Sequence, residues 1–179
     1  MSPWLRGALL ASAVSLALAA VPAGAQETVS TTEGPVRGVL DPATGVWEYR
    51  GIPFAAPPLG DLRFARPAPP GGHTDVLAAQ SFPNACPQIA GALPDDCSAG
   101  APAGSLVGNE NCLALNVFAP PPAAQPRPVM VFIHGGAYTA GCARTSQAVL
   151  AAAGGVVLVT LQYRLGVLGF LSSEETAGA

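Results

Sequence analysis

A glycine pair in this chain stands directly behind a continuous β-branched and aromatic run, as His134-Gly135-Gly136-Ala137 after Val129 to Ile133. With no Cβ to block an approaching oxygen, such a turn leaves backbone N–H groups pointing outward, where they can hold a developing oxyanion. A packing turn and a phosphate loop are the other uses of the pattern. The phosphate use lacks both G-x-G-x-x-G and G-x-x-x-x-G-K here. Acyl transfer also needs a serine at a strand-to-helix elbow, G-x-S-x-G, followed by an acid and then a histidine. Nothing in the chain supplies that elbow. Asp96-Cys97-Ser98-Ala99-Gly100 resembles its second half, but Asp96 fills the place of the first glycine and no strand precedes it. Ser98 is therefore not read as a nucleophile. Of the two histidines, His134 comes before the place a nucleophile would occupy, and His73, beside Gly71-Gly72, is expected on a solvent-exposed loop.

The segments around the turn indicate what positions it. Val36 to Leu40 and Val46 to Ala55 are β-rich runs joined by Asp41-Pro42-Ala43-Thr44-Gly45, a hairpin in which Pro sets φ and Gly permits φ > 0. Pro57 to Gly108 carries many Pro, Gly and Ala and reads as a long surface excursion. Leu113 to Ala119 resumes a strand, and Pro120 to Pro128 is a Pro-rich turn. Val129 to Ile133, apolar without alternation, predicts a strand buried on both faces. A helix from about Thr145 to Ala153 and a second buried strand, Val156 to Gln162, complete a strand, turn, helix, strand order, which is the βαβ unit of a parallel sheet.

The whole chain has 179 residues, half of them apolar and 11% charged, with 21 Gly and 19 Pro. Long apolar runs and low charge argue against disorder despite the glycine and proline content. A balance of 8 basic against 11 acidic residues gives no basic stripe for a polyanion, which excludes nucleic acid as a partner. Gly7 to Val21 is an apolar run after Arg6 and ahead of Ala23-Gly24-Ala25. It is shorter than the about 20 residues of a membrane span and predicts a signal peptide over 1–25, cleaved after Ala25, with export and no stable membrane anchor. An uncleaved anchor helix is the alternative. In an exported chain the four cysteines Cys86, Cys97, Cys112 and Cys142 favour disulfides over metal, with three pairings open. No C-x-x-C is present and neither histidine has a second at ligand spacing, so no metal site is expected.

Six motifs in one order then identify a resemblance: Tyr49-Arg50-Gly51-Ile52-Pro53-Phe54-Ala55, Pro57 to Phe64, Cys86-Pro87-Gln88, Glu110 to Val117, Val129 to Tyr138, and Tyr163-Arg164-Leu165-Gly166 with Gly169-Phe170. In these the sequence resembles the type B carboxylesterases, the cholinesterase-like branch of the α/β-hydrolases, from about Val36 to Phe170. The resemblance implies an α/β fold with a mixed central sheet and a leading hairpin, of which residues 26–179 are the N-terminal portion. It makes Gly136 and Ala137 the oxyanion-hole donors, with Gly135 shaping the loop and Ala137 replacing a glycine of many relatives without turning its N–H. It makes His134 a loop-shaping residue. It also implies a Cys86–Cys112 disulfide and a buried structural ion pair between Arg63 and Glu110, while Asn111 stands where an Asp is common.

Departures from the family pattern narrow the function. No aromatic residue lies between Pro87 and Asn111, where cholinesterases place a Trp for cation–π capture of choline, so choline specificity is not supported. Cys97 and Cys142 have no counterpart, leaving a mutual disulfide and free buried thiols both open. Family members run to roughly 500 residues, which implies that nucleophile, acid and histidine follow Ala179. Val156 to Gln162 is then expected as an inner strand whose next neighbour also follows. The expected function is serine-dependent hydrolysis of small-molecule carboxylic esters, without cofactor or metal. An inactive cholinesterase-like recognition domain, as in the neuroligin-like proteins, or an inactive truncated product is the alternative. Acyl group, alcohol group and oligomeric state are not encoded in these motifs.

Overall fold

The computed structural model describes residues 27–91, 97, 98 and 100–172. The expected signal peptide, and Asp96 and Ala99 of the half-elbow, lie outside them. In chain order the elements are β1 (Thr28–Thr31), β2 (Gly34–Arg37), β3 (Val39–Asp41), β4 (Val46–Pro53), a 3₁₀ turn at Gly60–Leu62, β5 (Leu77–Ala78), β6 (Gln88–Ile89), β7 (Leu106–Val107), β8 (Ala114–Ala119), β9 (Val129–Ile133), α1 (Ala148–Gly154), β10 (Val157–Leu161) and α2 (Gly166–Phe170). A mixed sheet in the order β3-β4-β8-β10-β9 forms the body, and β1-β2-β5 makes a smaller one.

The hairpin forms as predicted between β3 and β4, with Val39 opposite Glu48 and Asp41 opposite Val46. The single run expected over Val36 to Leu40 is instead two strands, β2 and β3. Gly38 separates them where a Cβ would meet the Glu48 carbonyl and the Tyr49 ring. Along β4 the side chains alternate between sheet faces. Val46 packs with Phe118, Leu158 and the α1 residues Ala148 and Ala151, whereas Tyr49 packs on the other face with Val36 and Ala79. On the α1 face the buried Glu48 carboxylate accepts from Ser146 Oγ (2.6 Å) and pairs with Arg50.

That bond also moves the start of the helix. Ser146 Oγ accepts the Ala148 N–H at 3.3 Å, so α1 opens at Ala148 rather than near Thr145. Gly155, at φ 61°, closes it with its N–H on the Ala151 and Ala152 carbonyls. β9 and β10 then run parallel, Val129 opposite Val157 through Ile133 opposite Leu161, giving the expected βαβ unit.

Two expectations about these strands are corrected. β10 is an inner strand, but both of its neighbours, β8 and β9, are already in place. Among the described residues β3 and β9 are the two edges of the sheet, and the five residues of β9 are 47–64% exposed rather than buried on both faces. An apolar run records that a strand is to be covered, while its place in the sheet is set by long-range pairing; α1 packs over β4, β8 and β10.

The excursion is tied down more firmly than its composition suggests. Cys86 and Cys112 are disulfide-linked with Cα atoms 5.2 Å apart, and pack with Ala55, Leu113 and Leu165. β5 pairs with β2, and β6 with β7. The second pair of cysteines is not free: Cys97 and Cys142 form a disulfide, with Cα atoms 5.9 Å apart. Arg63 and Glu110 make a bidentate ion pair at 2.7 and 2.5 Å, but the Arg63 side chain is 49% exposed, so the pair is a surface clasp and not a buried one. His73 is likewise half-buried rather than free in solvent, with its ring against Gly34 and its N–H on the Glu33 carbonyl. Among the described residues no helix is long and apolar enough to cross a membrane.

Candidate oxyanion loop

The glycine turn leaves the C-terminal end of β9. Gly136 adopts φ 119°, and Ala137 and Tyr138 follow at φ 51° and 62°, both in the left-handed region that glycine enters without penalty. The methyl group of Ala137 is thus accepted, but in a backbone conformation an L-residue resists. The Gly136 carbonyl accepts from Thr139 N, Ala140 N and Thr139 Oγ1 at 3.0 to 3.2 Å. A trans peptide holds its C=O and N–H in opposite directions, so the Ala137 N–H faces away from the turn. By the same geometry the Gly135 carbonyl, turned to His134 Nδ1 at 3.0 Å, sends the Gly136 N–H away from the imidazole. Neither N–H finds an acceptor among the described residues. A cleft of about 670 Å³ opens there, walled by the loop with Ile133, Tyr138, Leu161, Tyr163 and Phe170.

His134 anchors the start of the loop. Its side chain is buried, its ring stacks on Tyr163 at 4.4 Å between centroids, and Tyr163 Oη donates to the His134 carbonyl at 2.8 Å. A carbonyl only accepts, so Nδ1 carries the proton in its bond to Gly135; Nε2 is then a buried nitrogen with no partner among the described residues. Burial pushes the imidazole below its ordinary value of 6.5, against a smaller upward pull from Gly135. Burial, and then the nearby Tyr138, raise the Tyr163 hydroxyl. Both groups are neutral at pH 7, as a packed clamp requires.

Three side chains that the motifs leave without a role hold the far end of the loop. Gln88 accepts the Gly141 N–H at 2.9 Å and donates to the Gly141 carbonyl at 3.0 Å. Gln162 accepts from Ala143 N at 3.1 Å, and Asn116 donates to Ala143 O at 2.7 Å. All three amides are buried. Ser98 is buried too, and its carbonyl accepts from the Ala101 N–H. Among the described residues no group of three His, Cys, Asp or Glu side chains comes together to hold a metal. A comparable hollow of about 700 Å³ lies elsewhere, over Trp47, Tyr49 and Val117. Its polar lining includes Thr31, Gln125, Arg127 and Glu27, the last of which accepts from Tyr49 Oη at 3.3 Å and, after burial, helps push that hydroxyl upward.

A mixed sheet with a leading hairpin and a parallel strand, glycine loop, helix, strand unit defines the N-terminal part of an α/β-hydrolase fold. The chain belongs to the carboxylesterase family, whose model matches residues 25–178. It is 41% identical over 148 residues to para-nitrobenzyl esterase of Bacillus subtilis, covering 81% of this chain and 29% of that protein. It is 43% identical over 173 residues to human carboxylesterase 3 (89% and 29%) and 39% identical over 188 residues to mouse neuroligin-2 (83% and 22%). The solved structure of a thermophilic PNB esterase superposes with a TM-score of 0.71 at 40% identity, covering 83% of this chain and 30% of that one. The chain thus spans less than a third of the length of these relatives.

Proposed function

We propose that these residues supply the oxyanion-hole loop of an exported serine carboxylic ester hydrolase, with Gly136 and Ala137 as the N–H donors and Gly135 shaping the turn. The observation that carries the reading is the pair of outward-facing, unbonded N–H groups at the rim of a cleft, in a chain of the carboxylesterase family. In that reaction a serine attacks the ester carbonyl, a histidine moves the proton from nucleophile to leaving alcohol, and the two N–H groups meet the negative oxygen as it forms. Losing one such donor costs about 2.7 to 4 kcal/mol in the transition state. Nucleophile, acid and histidine are not among these residues, and no cofactor or metal enters. Two disulfides and the apolar Gly7 to Val21 run with its Ala23-Gly24-Ala25 end support export, with a mature start at Gln26.

The test begins with the same reading frame beyond Ala179, where G-x-S-x-G is expected within about 60 residues. The enzyme extended through that segment should hydrolyse short p-nitrophenyl esters, and Gly136→Pro, which deletes a donor, should remove most of its turnover. Residues 26–179 alone should not exceed buffer. Hydrolysis by that shorter chain, abolished by Ser98→Ala, would overturn the proposal. A second reading, an inactive recognition domain, is favoured by the 39% identity to neuroligin-2, and a frame with no serine at the elbow would select it.

A further inference from the structure

We propose that Gln88 is a positioning residue for the oxyanion donors, through which the disulfide-closed segment between Cys86 and Cys112 sets the geometry of the loop. The inference rests on the oxyanion-hole reading above. Its basis is a closed ring of two hydrogen bonds: Gln88 Oε1 accepts the Gly141 N–H at 2.9 Å and Gln88 Nε2 donates to the Gly141 carbonyl at 3.0 Å. Nε2 donates again, to Cys86 O at 3.1 Å. An amide whose nitrogen faces two carbonyls and whose oxygen faces an N–H has only one satisfactory orientation.

What Gln88 holds lies against the donors. Gly141 is buried at φ 113°, and a Cβ there would collide with the Gly135 carbonyl and His134 Nδ1. The chain therefore folds back so that Gly141 braces the same peptide whose orientation aims the Gly136 N–H. A side chain from 53 residues upstream thus grips the backbone immediately behind the donor turn. The next residue, Cys142, is cross-linked to Cys97 of the same segment, so two attachments, one covalent, join it to the loop. Gln162 and Asn116 fix Ala143 from the sheet side, which makes Gly141 the point where the excursion, rather than the sheet, determines the loop.

An arrangement of this kind acts on turnover more than on substrate affinity, since the donors engage charge that exists only in the transition state. In the extended enzyme, Gln88→Leu should lower kcat about 10- to 100-fold, the scale of a misplaced catalytic group, with KM changed less than about threefold. Affinity for a trifluoromethyl ketone, which presents an oxyanion to the same donors, should fall by the same factor. Gln88→Glu keeps the acceptor for the Gly141 N–H and should lose about tenfold or less, and it remains decisive should the leucine variant not fold. The independent readout is the ¹⁵N–¹H spectrum, in which the Gly136 and Ala137 amides should shift in both variants. Folded variants with wild-type kcat, inhibitor affinity and amide shifts, or a lower melting temperature as the only change, would overturn the role of Gln88 and leave the esterase reading intact. A wild-type enzyme without ester hydrolysis would overturn the esterase reading, while the amide shifts still decide whether Gln88 sets the loop.

Discussion

The hydroxyl of Tyr163 donates to the carbonyl oxygen of His134 at 2.8 Å while the two rings stack with centroids 4.4 Å apart. One side chain thus holds both the backbone and the ring of the residue that opens the glycine loop. Tyr163→Phe removes the hydrogen bond and keeps the stack, with an expected loss of about 0.5 to 1.5 kcal/mol. Tyr163→Leu removes both and should lose roughly a further 0.5 to 1.5 kcal/mol. Urea unfolding of the protein extended beyond Ala179 measures each difference, and equal values for the two variants would mean that the ring contact contributes nothing.

The imidazole of His134 predicts a pH effect of definite sign. Its pKa is lowered in the folded chain, so it should titrate below 6.5. The unfolded chain takes up the proton first as pH falls, so the stabilisation is complete above 6.5 and is lost between there and the folded value. An NMR titration of the His134 ring gives that value directly. His134→Gln should flatten this part of the stability profile.

Glu48 is 1% exposed and takes its bonds from Arg50 and from Ser146. Removing it as Glu48→Ala leaves Arg50 without its carboxylate and frees the approach to α1. Breaking a buried pair costs roughly 3 to 5 kcal/mol, and the low end is expected because a quarter of the Arg50 side chain is exposed. Thermal unfolding of the variant and of Ser146→Ala separates the ion pair from the helix attachment, the serine change being the milder.

Non-reducing peptide mapping should link Cys86 to Cys112 and Cys97 to Cys142. Chain separations of 26 and 45 residues give entropic contributions of roughly 3.5 and 4 kcal/mol. Replacing Cys97 and Cys142 together by Ala should therefore cost at least as much as replacing the first pair, a ranking that chemical denaturation of the two double variants tests.

The legible part of this chain is the part with local signals. The Asp41 to Gly45 turn between its two β-rich runs and the glycine turn behind β9 each carry their geometry within a few residues. The Cys86–Cys112 pair was available through a motif match. Gln88 and Asn116 fall inside matched motifs, but neither they nor Gln162 showed what they would grip, because their partners at Gly141 and Ala143 lie 53, 27 and 19 residues away. An amide in a strand or loop looks the same whether it faces water or a buried backbone. The edge position of β9 was hidden for a related reason: its residues report that they are apolar, while its neighbour in the sheet, β10, follows it in sequence after a loop and a helix.

That order has a consequence for synthesis. β9 leaves the ribosome before the strand it pairs with, and at about 5 to 20 residues per second the interval between Ile133 and Leu161 is roughly one to six seconds. For that time Val129 to Ile133 is an apolar strand with no ladder on either side. Variants that slow translation between Ala143 and Gly155 should lengthen that window and lower the yield of soluble chain, without changing a single contact in the folded protein.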